Sequence, residues 1–143
     1  MDLASKSIGI VLSGGGSKGI AQAGALQFLS EKGIEACCVA GTSAGAIVGG
    51  LYAFGKTPEE ILEFFKSIYF FHWKHFTFKK AGIIDSESFK KDFESILKET
   101  KIGDLKIPVH ITATDLVRGK LKVFGNETKL SDAILASSSF PGM

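Results

Sequence analysis

Two glycine-rich segments hold the residues best suited to chemistry. The first runs from Gly14 to Gly19, and the second runs from Gly41 to Gly45 with Ser43 at its centre. Both contain the spacing G-x-S-x-G, in which small neighbours allow a serine to stand on a sharp turn between a strand and a helix. A serine hydroxyl held there attacks ester carbonyl carbons once a base takes its proton. The sequence therefore offers two candidate nucleophiles, Ser17 and Ser43.

The flanking residues favour Ser43 as the nucleophile. An apolar run at Ala36 to Ala40 predicts a strand that leads directly into the second segment, and a helix-like run at Ala46 to Phe54 follows directly after it. Ser17 instead lies five residues after its own predicted strand, inside a run of glycines. The residues that would form the turn around Ser43 are Gly41, Thr42 and Gly45. The alternative is that Ser43 only caps the helix.

The first segment is suited to holding an anion. Glycines have no Cβ, so backbone N–H groups can converge, and the start of a following helix, predicted over Ile20 to Lys32, favours negative charge. After attack by Ser43, such groups would stabilise the oxyanion. The predicted oxyanion-hole residues are Gly14, Gly15, Gly16, Ser17, Lys18, Gly19 and Ala44.

Nucleotide binding is the main alternative for the same loop, because it also satisfies G-x-G-x-x-G. Dinucleotide-binding loops require an acidic residue at the end of the next strand, but Glu35 precedes that strand. The P-loop pattern fails as well, since Ile20 and Ala21 stand where Lys and Ser or Thr are needed. A module that binds a nucleotide or another phosphoanion stays open as an alternative, as does a catalytically inactive lipid-binding domain.

The combination of motifs resembles the patatin-like phospholipases. That family is marked by an oxyanion loop G-G-G-x-[R/K]-G, a G-x-S-x-G elbow and a later D-G-[G/A] element with the catalytic Asp. The segments Gly14 to Gly19 and Gly41 to Gly45 match the first two marks, and Asp132 to Gly142 is similar to the segment just ahead of the family's Asp. The resemblance implies a lipid acyl hydrolase, similar to a phospholipase A, that cleaves carboxylic esters through a Ser-Asp dyad and an acyl-enzyme. Its partner would be a lipid or phospholipid substrate.

The third mark of the family does not occur, because the sequence contains no D-G-G or D-G-A. We therefore expect residues 1–143 to be one patatin-like domain that is truncated before the catalytic Asp. The isolated piece should be nearly inactive and should self-associate through an unpaired sheet edge. Asp115 is assigned to a turn, with a role as the base as the alternative, and Asp132 to the start of a helix.

A Ser-His-Asp triad is the mechanistic rival. The order Ser, acid, His requires a histidine after the acid, and none follows Asp115 or Asp132. Only Asp85, Asp92 or Asp104 with His110 fits that order, but His110 lies inside a predicted strand, and His72 and His75 precede these acids. No H-E-x-x-H and no Cys/His ligand spacing occurs, so we expect neither a metal nor another cofactor.

The composition is that of one ordinary globular domain. Seventeen Lys and Arg residues against 15 Asp and Glu leave a net charge of +2, which indicates no nucleic-acid partner. The uncharged run from Ala36 to Gly55 is long enough to span a bilayer, but its five glycines favour a buried strand and helix. Cys37 and Cys38 are adjacent, which suits reduced thiols in the cytoplasm, with peripheral membrane contact as an option.

The predicted elements alternate between strand and helix. Four strands are expected, the first fully buried: Ser7 to Leu12, Ala36 to Ala40, Val109 to Thr114 and Leu121 to Phe124. Besides the two helices already given, one should run from Pro58 to Tyr69 behind a Thr57/Glu60 capping box. Another should start at Asp85 or Ser86 and cover the sheet, and a last one should follow a Ser131 cap. This order predicts a three-layer α/β/α sandwich with a mostly parallel central sheet and helices on both faces.

One aromatic segment allows two interpretations. Residues 69–78 hold six aromatic side chains, and Lys79 and Lys80 follow them. The segment is either core packing or a flap over the acyl pocket, in which residues 69–80 touch a lipid surface.

Overall fold

The computed structural model describes residues 7–75 and 86–139. Strands and helices alternate along the chain, as the sequence predicts. The strands are β1 (Ile8–Leu12), β2 (Ala36–Thr42), β3 (Val109–Asp115) and β4 (Lys120–Val123). The helices are α1 (Gly19–Glu31), α2 (Ala44–Phe54), α3 (Pro58–His75), α4 (Ser86–Leu97) and α5 (Leu130–Ser138).

The four strands form one sheet in the order β1-β2-β3-β4. The first three are parallel, with Leu12 opposite Gly41 and Thr42 opposite Thr112, and β4 is antiparallel to β3. The predicted α/β class with a mostly parallel sheet is confirmed. The crossovers from β1 to β2 and from β2 to β3 step in the same direction, and right-handed connections of this kind place their helices on the same face of a sheet.

Helix α2 is the centre of the core. Nearly all of its residues are buried, and it packs on β1, β2 and β3. Helix α5 packs beside it on β3, while α1 and α3 pack mainly on each other and on α2. The uncharged run therefore forms a strand and a helix as predicted. In the described part of the chain, no helix combines the length and apolar character needed to cross a membrane.

The opposite face of the sheet is exposed among the described residues. Val11 is 84% exposed and Leu121 is 73% exposed. The prediction that β1 is buried throughout is therefore wrong: its side chains alternate, and only Leu12 is fully buried. Its apolar composition concealed this alternation, because an apolar run does not reveal whether both faces of a strand are covered.

The structure corrects part of the inner side of α1, which the sequence predicts to consist of Ala21, Ala25, Leu26 and Leu29. Leu26 is buried as predicted, but Ala21 and Ala25 are exposed, and the other buried residues are Gly19 and Ala23. The buried set has the i, i+4, i+7 spacing of a single helix face. Because α1 is apolar on several sides, hydrophobicity alone did not identify the side that packs.

Helix α3 begins as predicted and ends later. The Thr57 hydroxyl accepts a hydrogen bond from the Glu60 N–H at 3.2 Å, and the Glu60 carboxylate accepts one from the Thr57 N–H at 2.8 Å. The helix continues to His75 instead of ending near Tyr69, because no Gly or Pro interrupts it. The side chains of residues 69–75 and all of residues 76–80 lie outside the described part, so the flap stays a prediction.

Two further expectations concern the last helices. Helix α4 begins at Ser86, and it packs on α5 and on the Phe64 ring of α3 instead of covering the sheet directly. Asp85 lies outside the described residues.

Ser131 is not the N-cap of α5. The helix begins one residue earlier, after Lys129, and Ser131 is 2% exposed within its first turn. The Leu130 N–H donates to the Thr100 carbonyl at 2.8 Å, which fixes this earlier start.

Candidate active site around Ser43

Ser43 occupies the junction between β2 and α2. Its backbone has φ 52° and ψ −119°, a conformation that residues with a Cβ seldom adopt. Its carbonyl accepts hydrogen bonds from the N–H groups of Ala46 and Ile47, at 2.9 and 3.1 Å. The Ser43 hydroxyl makes no capping hydrogen bond to the helix. The side chain is therefore not used as an N-cap, and such strain is often found at functional sites.

The glycines on either side of Ser43 are required by close packing. A Cβ on Gly41 would overlap the carbonyl of Gly45, and a Cβ on Gly45 would overlap the carbonyl of Leu12. The end of β1, the end of β2 and the start of α2 thus meet with their backbones in contact. The sharp strand-to-helix turn predicted from the motif is present.

The glycine-rich loop lies against this turn. A Cβ on Gly14 would be 3.4 Å from the Cβ of Ser43, and a Cβ on Gly19 would be 3.1 Å from the Cβ of Ala44. Both ends of the loop are therefore next to the junction of β2 and α2. The structure brings the two sequence motifs together, although Gly14 and Ser43 are 29 positions apart along the chain.

The N–H groups of the loop fall into two sets. Lys18 donates to the Gly15 carbonyl at 3.1 Å, and Gly19 donates to the carbonyls of Gly16 and Ser17, which closes a short 3-10 turn. Within the described part of the chain, the other N–H groups of the loop, and that of Ala44 directly after Ser43, have no acceptor. These are the N–H groups of Gly14, Gly15, Gly16, Ser17 and Ala44. They are free to donate to a ligand, and Gly16 has a φ of 56°, which favours glycine.

Ser17 has a different setting from Ser43. It lies in the middle of the 3-10 turn and is exposed, and its backbone has a negative φ. Lys18 is also exposed, and its side chain lies beside Gly15. Of the two G-x-S-x-G segments, only the one around Ser43 joins a strand directly to a helix.

A set of contacts that sequence reasoning missed surrounds the backbone of Ser43. The Ser43 N–H donates to the Ser137 hydroxyl at 2.8 Å, and that hydroxyl donates to the Thr112 carbonyl at 2.7 Å. The Ser138 hydroxyl donates to the Ser43 carbonyl at 3.4 Å. The hydroxyls of Thr42 and Thr112 are 2.5 Å apart. The run of serines at 137–139 was the one available signal, because several small hydroxyl residues end a buried helix there.

Asp115 has the turn role that the sequence predicts. Its carboxylate accepts from the N–H groups of Val117 and Arg118, both at 3.1 Å, and from the Arg118 guanidinium at 2.8 Å. The Arg118 side chain, with the backbone N–H groups, lowers the pKa of Asp115 below its usual range. A carboxylate held in this way is a weaker base.

The other candidate acid and histidine also lie away from Ser43. Asp132 is exposed in the first turn of α5, as predicted, at the opposite end of the helix from Ser137. His110 pairs with Ala40, three residues before Ser43, so its backbone lies roughly 10 Å back along the sheet. Among the described residues, no carboxylate or imidazole forms a hydrogen bond with the Ser43 hydroxyl.

Metal-binding groups and thiols add no further site. Within residues 7–75 and 86–139, no three His, Cys, Asp or Glu side chains gather closely enough to hold a metal ion. Cys37 and Cys38 are both free thiols, with their Sγ atoms 4.0 Å apart. The neighbouring Cys37 thiol raises the pKa of Cys38.

Comparison with known proteins identifies the family to which the sequence is related. The sequence profile of the family described as patatin-like phospholipase matches residues 10–143. The chain belongs to the patatin-like phospholipase family. An uncharacterized NTE family protein of Mycobacterium tuberculosis is 33% identical over 97% of this chain. Lysophospholipase NTE1 of Mycosarcoma maydis is 32% identical over 85% of it.

A solved structure shares the patatin-like fold of this chain. A chain in the complex of SpcU with ExoU, from the type III secretion system of Pseudomonas aeruginosa, superposes with a TM-score of 0.66 over 94% of this chain at 24% identity. The match covers 38% of that chain. Similarly, this chain spans 39% of the mycobacterial relative and 7% of the fungal one.

Proposed function

We propose that the protein is a lipid acyl hydrolase that cleaves carboxylic esters through an acyl-enzyme on Ser43. The observation that carries the proposal is the strained Ser43 backbone at the strand-to-helix junction, with a hydroxyl that does not cap the helix. Membership of the patatin-like phospholipase family and the similarity to a lysophospholipase support a lipid ester as the substrate. A nucleotide-binding module has no comparable need for a serine in this conformation.

The reaction would proceed in two halves. The Ser43 Oγ forms a bond to the ester carbonyl carbon while its proton passes to a base, and the carbonyl oxygen becomes an oxyanion. When the intermediate collapses, the carbon–oxygen bond to the alcohol breaks and the alcohol leaves with a proton. Water then attacks the acyl-enzyme, which releases the fatty acid and restores the Ser43 hydroxyl.

The loop would stabilise the oxyanion in each half. We propose that the donors are the N–H groups that have no acceptor among the described residues, namely those of Gly14, Gly15, Gly16, Ser17 and Ala44. The remaining members of the loop would serve the shape of the site, since Lys18 and Gly19 already donate within the 3-10 turn. Loss of one such donor typically costs a factor of about 10²–10³ in kcat.

We propose an aspartate as the base and place it outside the described residues. Asp115 is engaged by Arg118, and Asp104 accepts the Lys101 N–H at 2.9 Å in the turn that it caps. Asp132 lies at the far end of α5. These carboxylates have structural partners or positions of their own, so none is suited to take the proton of Ser43.

Two serine variants test the nucleophile. In the whole protein, Ser43→Ala should lower hydrolysis of a short-chain nitrophenyl ester by several orders of magnitude, because the attacking atom is lost. Ser17→Ala is the matched control: it removes a hydroxyl from the other G-x-S-x-G segment, where only backbone N–H groups are proposed to act. Hydrolysis of a radiolabelled lysophospholipid, followed in parallel, measures whether a lipid ester is also cleaved.

The outcomes separate the candidate functions. Equal losses in the two variants, or a larger loss for Ser17→Ala, would overturn the assignment of Ser43. A folded wild-type protein without esterase activity that binds lipid vesicles would point to an inactive lipid-binding domain. Tight binding of a dinucleotide without ester hydrolysis would favour the phosphoanion module.

A further inference from the structure

We propose that Ser137 is a positioning residue that holds the backbone of Ser43 in its reactive conformation. The inference rests on the proposed role of Ser43 as the nucleophile. Ser137 is half-buried near the end of α5. Its hydroxyl contacts the backbone of Ser43 without taking part in the chemistry.

The two hydrogen bonds of Ser137 lie where β2 and β3 separate. Thr42 and Thr112 are the last paired residues of these parallel strands. In a continued ladder, the next hydrogen bond would run from the Ser43 N–H to the Thr112 carbonyl. The Ser137 hydroxyl bridges these two groups, with 2.8 Å to the nitrogen and 2.7 Å to the oxygen.

This bridge lets Ser43 turn away without losing its hydrogen bond. A residue that leaves the ladder at φ 52° leaves behind a backbone donor and an acceptor, and such groups are costly when they have no partner. Ser137 satisfies both groups with one hydroxyl. Since a hydroxyl both donates and accepts, alanine at this position can satisfy neither.

Helix α5 is anchored well enough to hold Ser43 in place. It packs on β3 and on α2, and its Leu130, Ala133 and Ile134 side chains are fully buried. The strained turn is thereby connected to both the strand before it and a helix far along the chain. A positional constraint of this kind is needed because a shift of about 1 Å in a nucleophile can cost a factor of about 10² in rate.

Ser139 provides a matched control within the same run of serines. Its hydroxyl donates to the Leu135 carbonyl at 2.7 Å at the exposed end of α5, and it does not contact Ser43. Ser137→Ala and Ser139→Ala therefore each remove one hydroxyl from the end of the same helix. Only the first removes the bridge to Ser43.

The test is steady-state kinetics of the whole protein on a nitrophenyl ester, together with the rate of labelling by a fluorophosphonate. Ser137→Ala should lower kcat by about 10-fold to 100-fold with KM changed less than about threefold, and should slow labelling to the same extent. Ser137→Thr, which keeps a hydroxyl, should recover most of the loss. Ser139→Ala should leave kcat within about twofold of the wild type.

Several outcomes would overturn the proposal. The proposal is wrong if folded Ser137→Ala has an unchanged kcat, or if its KM changes while its kcat does not. It is also wrong if Ser139→Ala loses as much kcat as Ser137→Ala. If Ser137→Ala does not fold, Ser137→Cys replaces it: a thiol is a weaker donor at the same place, so kcat should fall at least about threefold, and an unchanged kcat would reject the role. Failure of the nucleophile assignment is distinguishable, because the wild-type protein would then carry no label on Ser43.

Discussion

At the scale of single residues, the geometry of the site depends on two glycines without a Cβ as much as on Ser43 itself. Gly41 and Gly45 bring three backbone segments together where no Cβ fits. Ser43 keeps its Cβ at this crowded point and adopts a conformation that strains its backbone. Such strain persists only where the surrounding contacts allow no alternative. The neighbouring glycines therefore determine the placement of the Ser43 hydroxyl.

This packing predicts opposite effects for two glycine substitutions. Gly45→Ala places a methyl group against the Leu12 carbonyl and should lower the free energy of unfolding by more than about 3 kcal/mol, beyond the ordinary range. Gly24→Ala, in the middle of α1 where a Cβ meets no atom within 4 Å, should raise it by about 0.5–1 kcal/mol. Urea denaturation of both variants measures the difference. A stable, unperturbed Gly45→Ala protein would contradict the close approach of β1 and α2.

The residue types of the site were predictable, but their connections were not. The G-x-S-x-G spacing and its flanking apolar runs identified the turn at Ser43, because that motif is local in sequence. The bridge from Ser137 joins residues 94 positions apart, so no local pattern reveals it. Its signal, a run of three serines, is also typical of an ordinary helix end.

At the scale of elements, α3 illustrates how a local signal gives one end of a helix and not the other. The capping box satisfies the N–H groups of Thr57 and Glu60 as predicted. No comparable stop signal lies near Tyr69, and the helix continues to His75. The buried face of α1 depends on the position of α3, which packs on it. The spacing of apolar residues within α1 does not reveal that position, so the buried face could not be predicted from the helix alone.

The capping box predicts a pH-dependent contribution to stability. Hydrogen bonds from Lys56 and from the Thr57 N–H lower the pKa of Glu60. Since the folded pKa lies below the unfolded one, the contribution is complete above about pH 4.3 and is lost as the pH falls through the folded pKa. The difference in Tm between the wild type and Glu60→Gln should therefore be largest near pH 7 and should shrink below about pH 4.

The Thr57 hydroxyl, which accepts the other hydrogen bond of the capping box, allows a second test of its stability. Thr57→Ala should lower the free energy of unfolding by about 1 kcal/mol. Glu63→Gln, which breaks an exposed pair with Lys66 on the same helix, should have little effect. Thermal unfolding at several pH values measures all three variants, and a pH-independent Glu60→Gln difference would contradict the capping role.

At the scale of the whole molecule, strand order accounts for the exposed face of the sheet. Consecutive strands step in one direction, so right-handed crossovers place their helices on one side. Val11, Ala40 and His110 are neighbours across the other side, and Leu121 shares that side through its pairing with Thr114. The class of fold was predictable from the alternation of elements. The order of the strands was not, because it depends on pairings distant in sequence.

The exposed face predicts self-association of a polypeptide that comprises residues 1–143 alone. In the described part of the chain, apolar side chains are exposed on the sheet and no strand pairs with the outer edge of β1, and both features favour contact between copies. Light scattering should show dimers or larger species, and the double variant Val11→Lys, Leu121→Lys should reduce their size. Phe28→Lys, which alters an exposed apolar residue on α1 instead, should not. A monodisperse monomer would contradict this expectation.

Covalent labelling tests the central claim most directly. The whole protein, incubated with a fluorophosphonate and digested, should give one phosphonylated peptide by mass spectrometry, with the adduct on Ser43 and in a ratio that approaches one label per chain. The Ser43→Ala protein should take up no label, while the Ser17→Ala protein should be labelled at close to the wild-type rate. An active esterase whose label lies on Ser17 or on any residue other than Ser43 would contradict the account.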